Sequence, residues 1–497
     1  MKQVNKWLVT TTVMLPLFIV IMDSTVVIVS LPHIQGSLNV SLNEVTWVLT
    51  LYIVATAVTI LSAGWLSNIF GRKNYLLFSV LLFAISSLAC GLAKSLTLLV
   101  LFRTLQGLGG GGMQPLTQSI LLETFPKKEY GMAMAIFSMG IVVAPIVGPI
   151  LGGWITDNWG WPWIFYINIP ICIISIILIF LFIFDPSYVR QHIRKIDWSG
   201  LIFMIIGVTC LQIMLDRGEI KDWFSSSLIV YLFIVSVIFF VGFIINELKT
   251  KQPIVNLKIF KDFSYSSGCL IVFLGFFAFF GSVVLLPMYV QKLMNYTALW
   301  AGLVLGPAGA IQIILLPIIG LLTKKIDCRI LLAVAIVLNA LALNLMAHFN
   351  LYADFWSIVY PRIIQGAGLA FFFTPLAVVT FIGIKREAMG NATAIFNFLR
   401  SLGGSFGIAF VSSIFSHRTH FHHFHLSEQF NPANIVFQQT TDKISHFLHI
   451  STHQAHYFIY QELGRQSSML AYNDAFFINS LIFLGLLPFL FLLKKTL

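Results

Sequence analysis

The chain has 497 residues, of which 58% are hydrophobic and only 10% charged, with a mean hydropathy of +0.90 and a formal charge of +11. Soluble domains carry about 25% charged residues, and no soluble fold of this length can hide so much apolar surface behind a polar coat, so a soluble enzyme or binding module is excluded. In lipid each backbone group must be satisfied within its own spanning element, and long apolar runs predict an all-α membrane protein rather than a barrel.

The first apolar run, 8–31, is read as an uncleaved helix, because it contains Asp23 and ends without a small-x-small cleavage site. Asp23 is the one acid well inside a span. A carboxylate at that depth costs several kcal/mol unless paired, which marks it as a proton-coupling site; the alternative is a static pair with Arg103 or a backbone group. Runs 46–67 and 74–93 flank Gly64-Trp-Leu-Ser-Asn68-Ile-Phe-Gly71-Arg72-Lys73. Its glycines permit a sharp turn and close packing, and Arg72 and Lys73 can meet helix C-terminal carbonyls or acidic loop residues. The segment is predicted to be a cytoplasmic gate, against the alternative of an ordinary basic loop.

Run 96–123 carries Arg103 and Gln106. Run 131–156 carries Gly140-x-x-x-Ala144-Pro145-x-x-Gly148-Pro149-x-x-Gly152-Gly153, in which prolines remove donors and small residues admit a neighbouring helix. After 163–185 come two further runs, 199–216 and 228–248. Six more follow at 266–290, 299–323, 330–348, 354–382, 390–417 and 474–493. Arg362 and Gln365 lie in the fourth of these and Arg400 in the fifth. With Gln106 they are candidates for a substrate cavity, with structural pairing as the alternative for both arginines. The segment 418–473, with His417, holds nine of the twelve histidines. Metal binding and a polar helical extension at the membrane surface are its two readings, and metal is not assigned.

Twenty of the thirty Lys and Arg, among them Lys2, Arg190, Arg194 and Lys195, fall in segments on the side of the N-terminus, and four fall in the short loops opposite. The excess predicts cytoplasmic N- and C-termini and accounts for the basic charge without nucleic acid. The five cysteines are scattered without CxxC spacing, so neither a disulfide framework nor a zinc site is expected. No GxxxxGK[ST] motif is present, and no cofactor is expected.

The chain also repeats itself. Arg103-x-x-Gln106-Gly107-x-Gly109 recurs as Arg362-x-x-Gln365-Gly366-x-Gly368, and Ala135-Ile-Phe as Ala394-Ile-Phe, both at an offset of 259; Gly64 and Leu66 recur as Gly320 and Leu322 at 256. The expected architecture is fourteen transmembrane helices as 6+2+6: a six-helix bundle over 1–190, a two-helix insert over 191–255, and a second bundle over 256–497 with an external loop at 418–473. Two six-helix repeats around a central site are a transporter plan.

These motifs resemble the fourteen-span drug:proton antiporters of the major facilitator superfamily, the EmrB/QacA type. The resemblance covers essentially the whole chain. It rests on Met22-Asp23-Ser24-Thr25 running to Pro32, Arg103-Thr-Leu-Gln106-Gly107, the Gly/Pro pattern of span five, Asn397-Phe-Leu-Arg400-Ser-Leu-Gly403-Gly404 and Leu470-Ala-Tyr-Asn473-Asp474-Ala-Phe476. It implies the major facilitator fold, proton coupling through Asp23 and Arg103, and gating by Gly64, Asn68, Gly71, Arg72 and Lys73. It further implies an antiporter motif comprising Gly140, Pro145, Gly148, Pro149, Gly152 and Gly153. Export from a bacterial inner membrane is expected, with a periplasmic adaptor and an outer-membrane channel as implied partners. Three departures stand out: Asn68 where the family has Asp, Ile28 where Asn is common, and Trp161-Pro162-Trp163 in place of Trp-Arg-Trp. Three intramembrane arginines against one acid point to lipophilic weak acids, zwitterions or carboxylate-bearing metabolites such as siderophores. The competing readings are an uptake symporter of the same superfamily, which the span-five pattern opposes; a respiratory proton pump, which would need mid-span lysines; and a receptor or scaffold, which needs no buried acid.

Overall fold

The computed structural model describes residues 5–185, 197–428, 430–431 and 434–495, and every regular element among them is helical. Lys2, Arg190, Arg194, Lys195 and the expected boundary at 190/191 lie outside the described residues. The first group of helices is α1 (Lys6–Leu38), α2 (Leu42–Val45), α3 (Trp47–Phe70), α4 (Arg72–Gly91), α5 (Leu96–Gly110), α6 (Met113–Thr124), α7 (Tyr130–Trp159), α8 (Trp163–Tyr166) and α9 (Asn168–Phe182). Next come α10 (Trp198–Arg217) and α11 (Ser227–Lys249). The last group is α12 (Phe263–Lys292), α13 (Ala298–Leu322), α14 (Cys328–Met346), α15 (Phe355–Phe381), α16 (Met389–Ser427), α17 (Ile435–Leu448) and α18 (Thr452–Leu484). Among the described residues thirteen helices are long and apolar enough to cross a membrane. The α5–α6 segment, where one span was expected, makes the fourteenth crossing.

That span is not one helix. Its run of four glycines breaks it at Gly111–Gly112, since glycine gives up the most conformational freedom on entering a helix. Contact with α3 also requires glycine here: a Cβ on Gly107 would come 2.6 Å from the Tyr52 carbonyl oxygen, and one on Gly111 2.6 Å from that of Thr56. Elsewhere the starts follow ordinary capping chemistry. Ser95 accepts from the N–H of Leu98, Thr297 from Trp300, and Ser451 and Gln454 form a capping box at α18. Asp262 accepts from the N–H groups of Ser264 and Tyr265 and from Lys494 Nζ. Partial burial pushes its carboxyl up, but the Lys494 hydrogen bond and the backbone donors outweigh it and hold it below the usual range.

The repeat is visible as paired packing. In the first group α1 packs on α7 and α9, and α5 on α3 and α4; in the last group α12 packs on α16 and α18, and α15 on α13 and α14. Two seams join the groups, α7 against α13 and α3 against α16, and they too are copies of one another. The pair α10–α11 lies outside, with α10 touching both α3 and α16. The segment 418–473 takes the second of its two readings, a helical extension: α16 runs on to Ser427, α17 follows, and α18 begins at Thr452, so most of the segment is helix. Hydropathy ends a span where polarity begins, whereas a helix can continue into water.

Candidate functional site

Asp23 is 1% exposed, on α1, and three donors from two other helices converge on it. Arg103 Nη1 donates to Oδ2 at 2.6 Å, while Gln106 Nε2 and Asn168 Nδ2 donate to Oδ1 at 3.1 and 2.8 Å. Gln106 Oε1 in turn accepts from Arg103 Nη1 at 2.6 Å, and Ser87 Oγ accepts from both amides. The guanidinium lies 4.0 Å from the centroid of the Tyr52 ring. The structure therefore brings Asp23, Arg103 and Gln106 together as one centre. It adds Asn168, Ser87 and Tyr52, which sequence reasoning missed; the one signal for Asn168 is that it is an amide within an apolar run. Protonation at Oδ2, which keeps a free acceptor site beside Arg103, cancels the charge that holds the guanidinium and so loosens the helices that carry these donors.

The Gly/Pro segment of α7 flanks this centre. A Cβ on Gly148 would strike Thr25 Oγ1, one on Gly152 would come 2.9 Å from Val26 Cγ1, and one on Gly140 would strike Met14. The three glycines thus press α7 onto α1 on either side of Asp23. Pro145 and Pro149 face away, exposed, and the helix is continuous through both. Gly153 has nothing within 4 Å.

At the end of the molecule that bears Lys73 and Lys127, here the basic end, the seams are tight. A Cβ on Gly64 would sit 2.8 Å from the Gly390 oxygen and from Asn391 Cα, and one on Gly320 would sit 2.9 Å from the Gly131 oxygen. Gly131 and Gly390 are related by the same offset of 259, so the two contacts are one contact made twice. Arg72, 1% exposed, pairs with Glu123 at 2.5 Å, the N–H of Lys73 donates to Asp185 Oδ1 at 2.9 Å, and Gly71 (φ +83°) lies against Asp185. Neither contact uses Asn68, which is half-buried, so the acids that meet this loop stand at the ends of other spans rather than within it. Lys127 Nζ reaches across to the Ile382 oxygen at 2.9 Å.

Toward the other end the seam between α7 and α13 opens. Gly309 touches Ile146, yet Gly306 and Gly302, one and two turns farther along the same face, meet nothing within 4 Å. Between the tight and open regions lies a small cavity of about 20 Å³, lined among others by Gln118, Ser138, Phe276, Phe373 and Arg400. Just beside it Asn397 Nδ2 donates to Gln118 Oε1 at 2.5 Å, a buried hydrogen bond from one group of helices to the other. Arg400 lies 5.4 Å from the Phe276 ring centroid.

Arg362 and Gln365 are apart from the cavity lining and reproduce the arrangement of Arg103 and Gln106. Arg362 Nη1 donates to Gln365 Oε1, and Gln365 Nε2 donates to Ser282 Oγ at 2.8 Å. Among the described residues no acid pairs with Arg362 or Arg400. In the histidine-rich extension Asp474 accepts from Arg418 Nε at 2.5 Å and lies 2.7 Å from His422 Nε2.

Comparison with known proteins follows the same lines. Residues 13–408 match the profile of the Major Facilitator Superfamily. The chain is 39% identical over 483 residues to the multidrug export protein EmrB of Haemophilus influenzae, covering 97% of this chain and 94% of that protein. It is 36% identical over 488 residues to the fatty acid resistance protein FarB of Neisseria gonorrhoeae, covering 98% and 96%. Among solved structures, the human organic anion transporter MFSD10 superposes with a TM-score of 0.64 at 13% identity, over 96% of this chain and 99% of that one.

Proposed function

The chain belongs to the Major Facilitator Superfamily, and from that premise we propose that it is an efflux transporter that exchanges lipophilic small molecules for protons across a bacterial inner membrane. Its substrates are drugs and amphiphilic weak acids or carboxylate-bearing metabolites such as siderophores. The observation that carries the reading is the Asp23 centre, a carboxylate sealed inside the bundle by donors on α5 and α9. In this reading residues 1–190 and 256–497 are the two rocking halves and 191–255 the insert, and the basic end, with both termini, is cytoplasmic. The conformation is then outward-facing.

The cycle follows from the contacts. An external proton takes a carboxylate oxygen of Asp23 and frees Arg103 or an amide. The halves then lose their hold at Gly64–Gly390 and Gly131–Gly320, the Gln118–Asn397 hydrogen bond breaks, and Arg72 and Lys73 move with the gate. The proton leaves inward as substrate enters beside Gln106, Arg362, Gln365 and Arg400. One charge moved across 100 mV contributes about 2.3 kcal/mol, enough for roughly a fifty-fold substrate gradient. The antiporter glycines keep α7 tight on α1, so no water wire reaches Asp23 between strokes. A periplasmic adaptor and an outer-membrane channel extend the path, engaged through the α16–α18 extension.

The test is ethidium efflux from energised cells and inverted vesicles, comparing the wild type with Asp23→Asn. Efflux that tracks the proton gradient in the wild type and is uncoupled from it in the variant is expected; identical proton dependence in both removes Asp23 from coupling.

A further inference from the structure

The offset of 259 carries Arg103 onto Arg362 and Gln106 onto Gln365, and the hydrogen bonds of the two glutamines put Ser282 in the place of Asp23. The two centres have one hydrogen-bond pattern. In each, the glutamine oxygen accepts from the arginine Nη1, and the glutamine amide donates to the residue at the Asp23 position. The second centre has kept the cation and the amide and lost the anion. Arg362 is 7% exposed, and its Nε has no partner. Asn479 on the last span stands where Asn168 stands in the first half: a Cβ on Gly281, next to Ser282, would sit 3.0 Å from its Nδ2. It is fully buried with both amide atoms unpartnered. A buried guanidinium without an anion and a buried amide without a partner are costly to maintain empty.

Resting on the export reading above, we propose that the Arg362–Gln365–Ser282–Asn479 centre binds the carboxylate of a transported lipophilic monocarboxylic acid, which fills the place that Asp23 fills in the other half. A carboxylate supplies four acceptor sites and pairs with a guanidinium in a charge-assisted bond. The apolar part would lie along a wall of packed aromatic rings, which it would have to part. Along α12, Phe280, Phe279 and Phe276 descend from Ser282 to the cavity, where Phe276 meets Phe373 at 5.1 Å between ring centroids. Ser282 to Phe276 is about 9 Å along the helix, the length of a medium acyl chain. The open seam beyond Gly306 gives the centre its exit.

The purified full-length chain is tested for binding of decanoate and of its neutral isostere decanamide, in gluconate and in chloride. Wild type is expected to bind decanoate at least about tenfold more tightly than decanamide. Ser282→Asp, which returns the missing carboxylate, is expected to lose decanoate binding by at least tenfold while its melting temperature rises. Arg362→Gln is expected to lose binding without that rise. Equal wild-type binding of decanoate and decanamide overturns the proposal, and so does undiminished decanoate binding in Ser282→Asp. Chloride that protects wild type but not Ser282→Asp, and abolishes decanoate binding, makes the occupant a resident inorganic anion and equally overturns it. Ethidium efflux under a proton gradient separates the two readings: if it persists while decanoate fails to bind, only this site is wrong, and if it is absent, the export reading fails first.

Discussion

Individual side chains set the chemistry. Asp23 and Arg103 are each completely enclosed, so removing one strands the other. Breaking a buried pair by deleting one partner costs about 3–5 kcal/mol, and Arg103→Ala is expected to destabilise the detergent-solubilised protein by that order in thermal unfolding. Asp23→Asn keeps the shape and can still accept from Asn168 or Gln106, so its stability loss should be smaller while its proton coupling is gone. The same reasoning applies at the basic end. Glu123→Gln leaves Arg72 buried without its acid, and is expected to weaken closure of that end, read as increased alkylation of a cysteine placed at Ser67 beside the seam. Sequence reasoning reached Asp23, Arg103 and Gln106 because charge inside an apolar run is conspicuous on its own. Asn168 was not reachable in the same way. Its role depends on how α9 is rotated about its axis, and an amide near the end of a span is unremarkable until that rotation is known.

At the level of helices, small residues decide which pairs touch. Gly148 has no room for a side chain against Thr25, two residues from Asp23. Gly148→Val is expected to push α7 off α1, reduce ethidium efflux by at least about tenfold, and raise proton leak in liposomes loaded with a pH-sensitive dye. Gly131→Val meets backbone at Gly320 and side chain at Thr323, and is expected to prevent the seal and abolish transport with the protein still inserted in the membrane. The existence and order of the spans were legible in hydropathy, because lipid imposes a minimum length on every crossing. The break in α5–α6 was not, since averaging over a window hides four glycines among apolar neighbours. The helicity of 418–473 was one of its two readings, and Ser451-x-x-Gln454 is the helix-start signal in the sequence that supports it. Polarity reports the surrounding solvent, and hydrogen-bonded helix tolerates both.

Taken whole, the protein is two copies of one bundle that meet twice, with both meetings tight at the basic end. The rocking reading predicts that the loose ends approach when the tight ends part. Gly153 and Gly302 occupy corresponding levels of α7 and α13 on the open side, so a Gly153→Cys, Gly302→Cys pair should form a disulfide poorly at rest and readily once substrate turns the carrier over, measured by mobility on non-reducing gels. The repeat was legible from Arg103/Arg362 and Gly64/Gly320, but what it had lost, an acid exchanged for Ser282, emerged only when the hydrogen bonds of the two halves were laid side by side.

The long helix α16 has a mechanical consequence. Its 39 residues extend about 58 Å, against roughly 30 Å of hydrocarbon, and its inner end is the very strand of backbone that meets Gly64. Its counterpart in the first half, α7, has 30 residues. A rotation of a few degrees at the pivot therefore sweeps the outer tip through several ångströms, like the blade of an oar. Anything clasping that tip feels each stroke of the pump, and anything immobilising it stalls the pump without approaching the cargo.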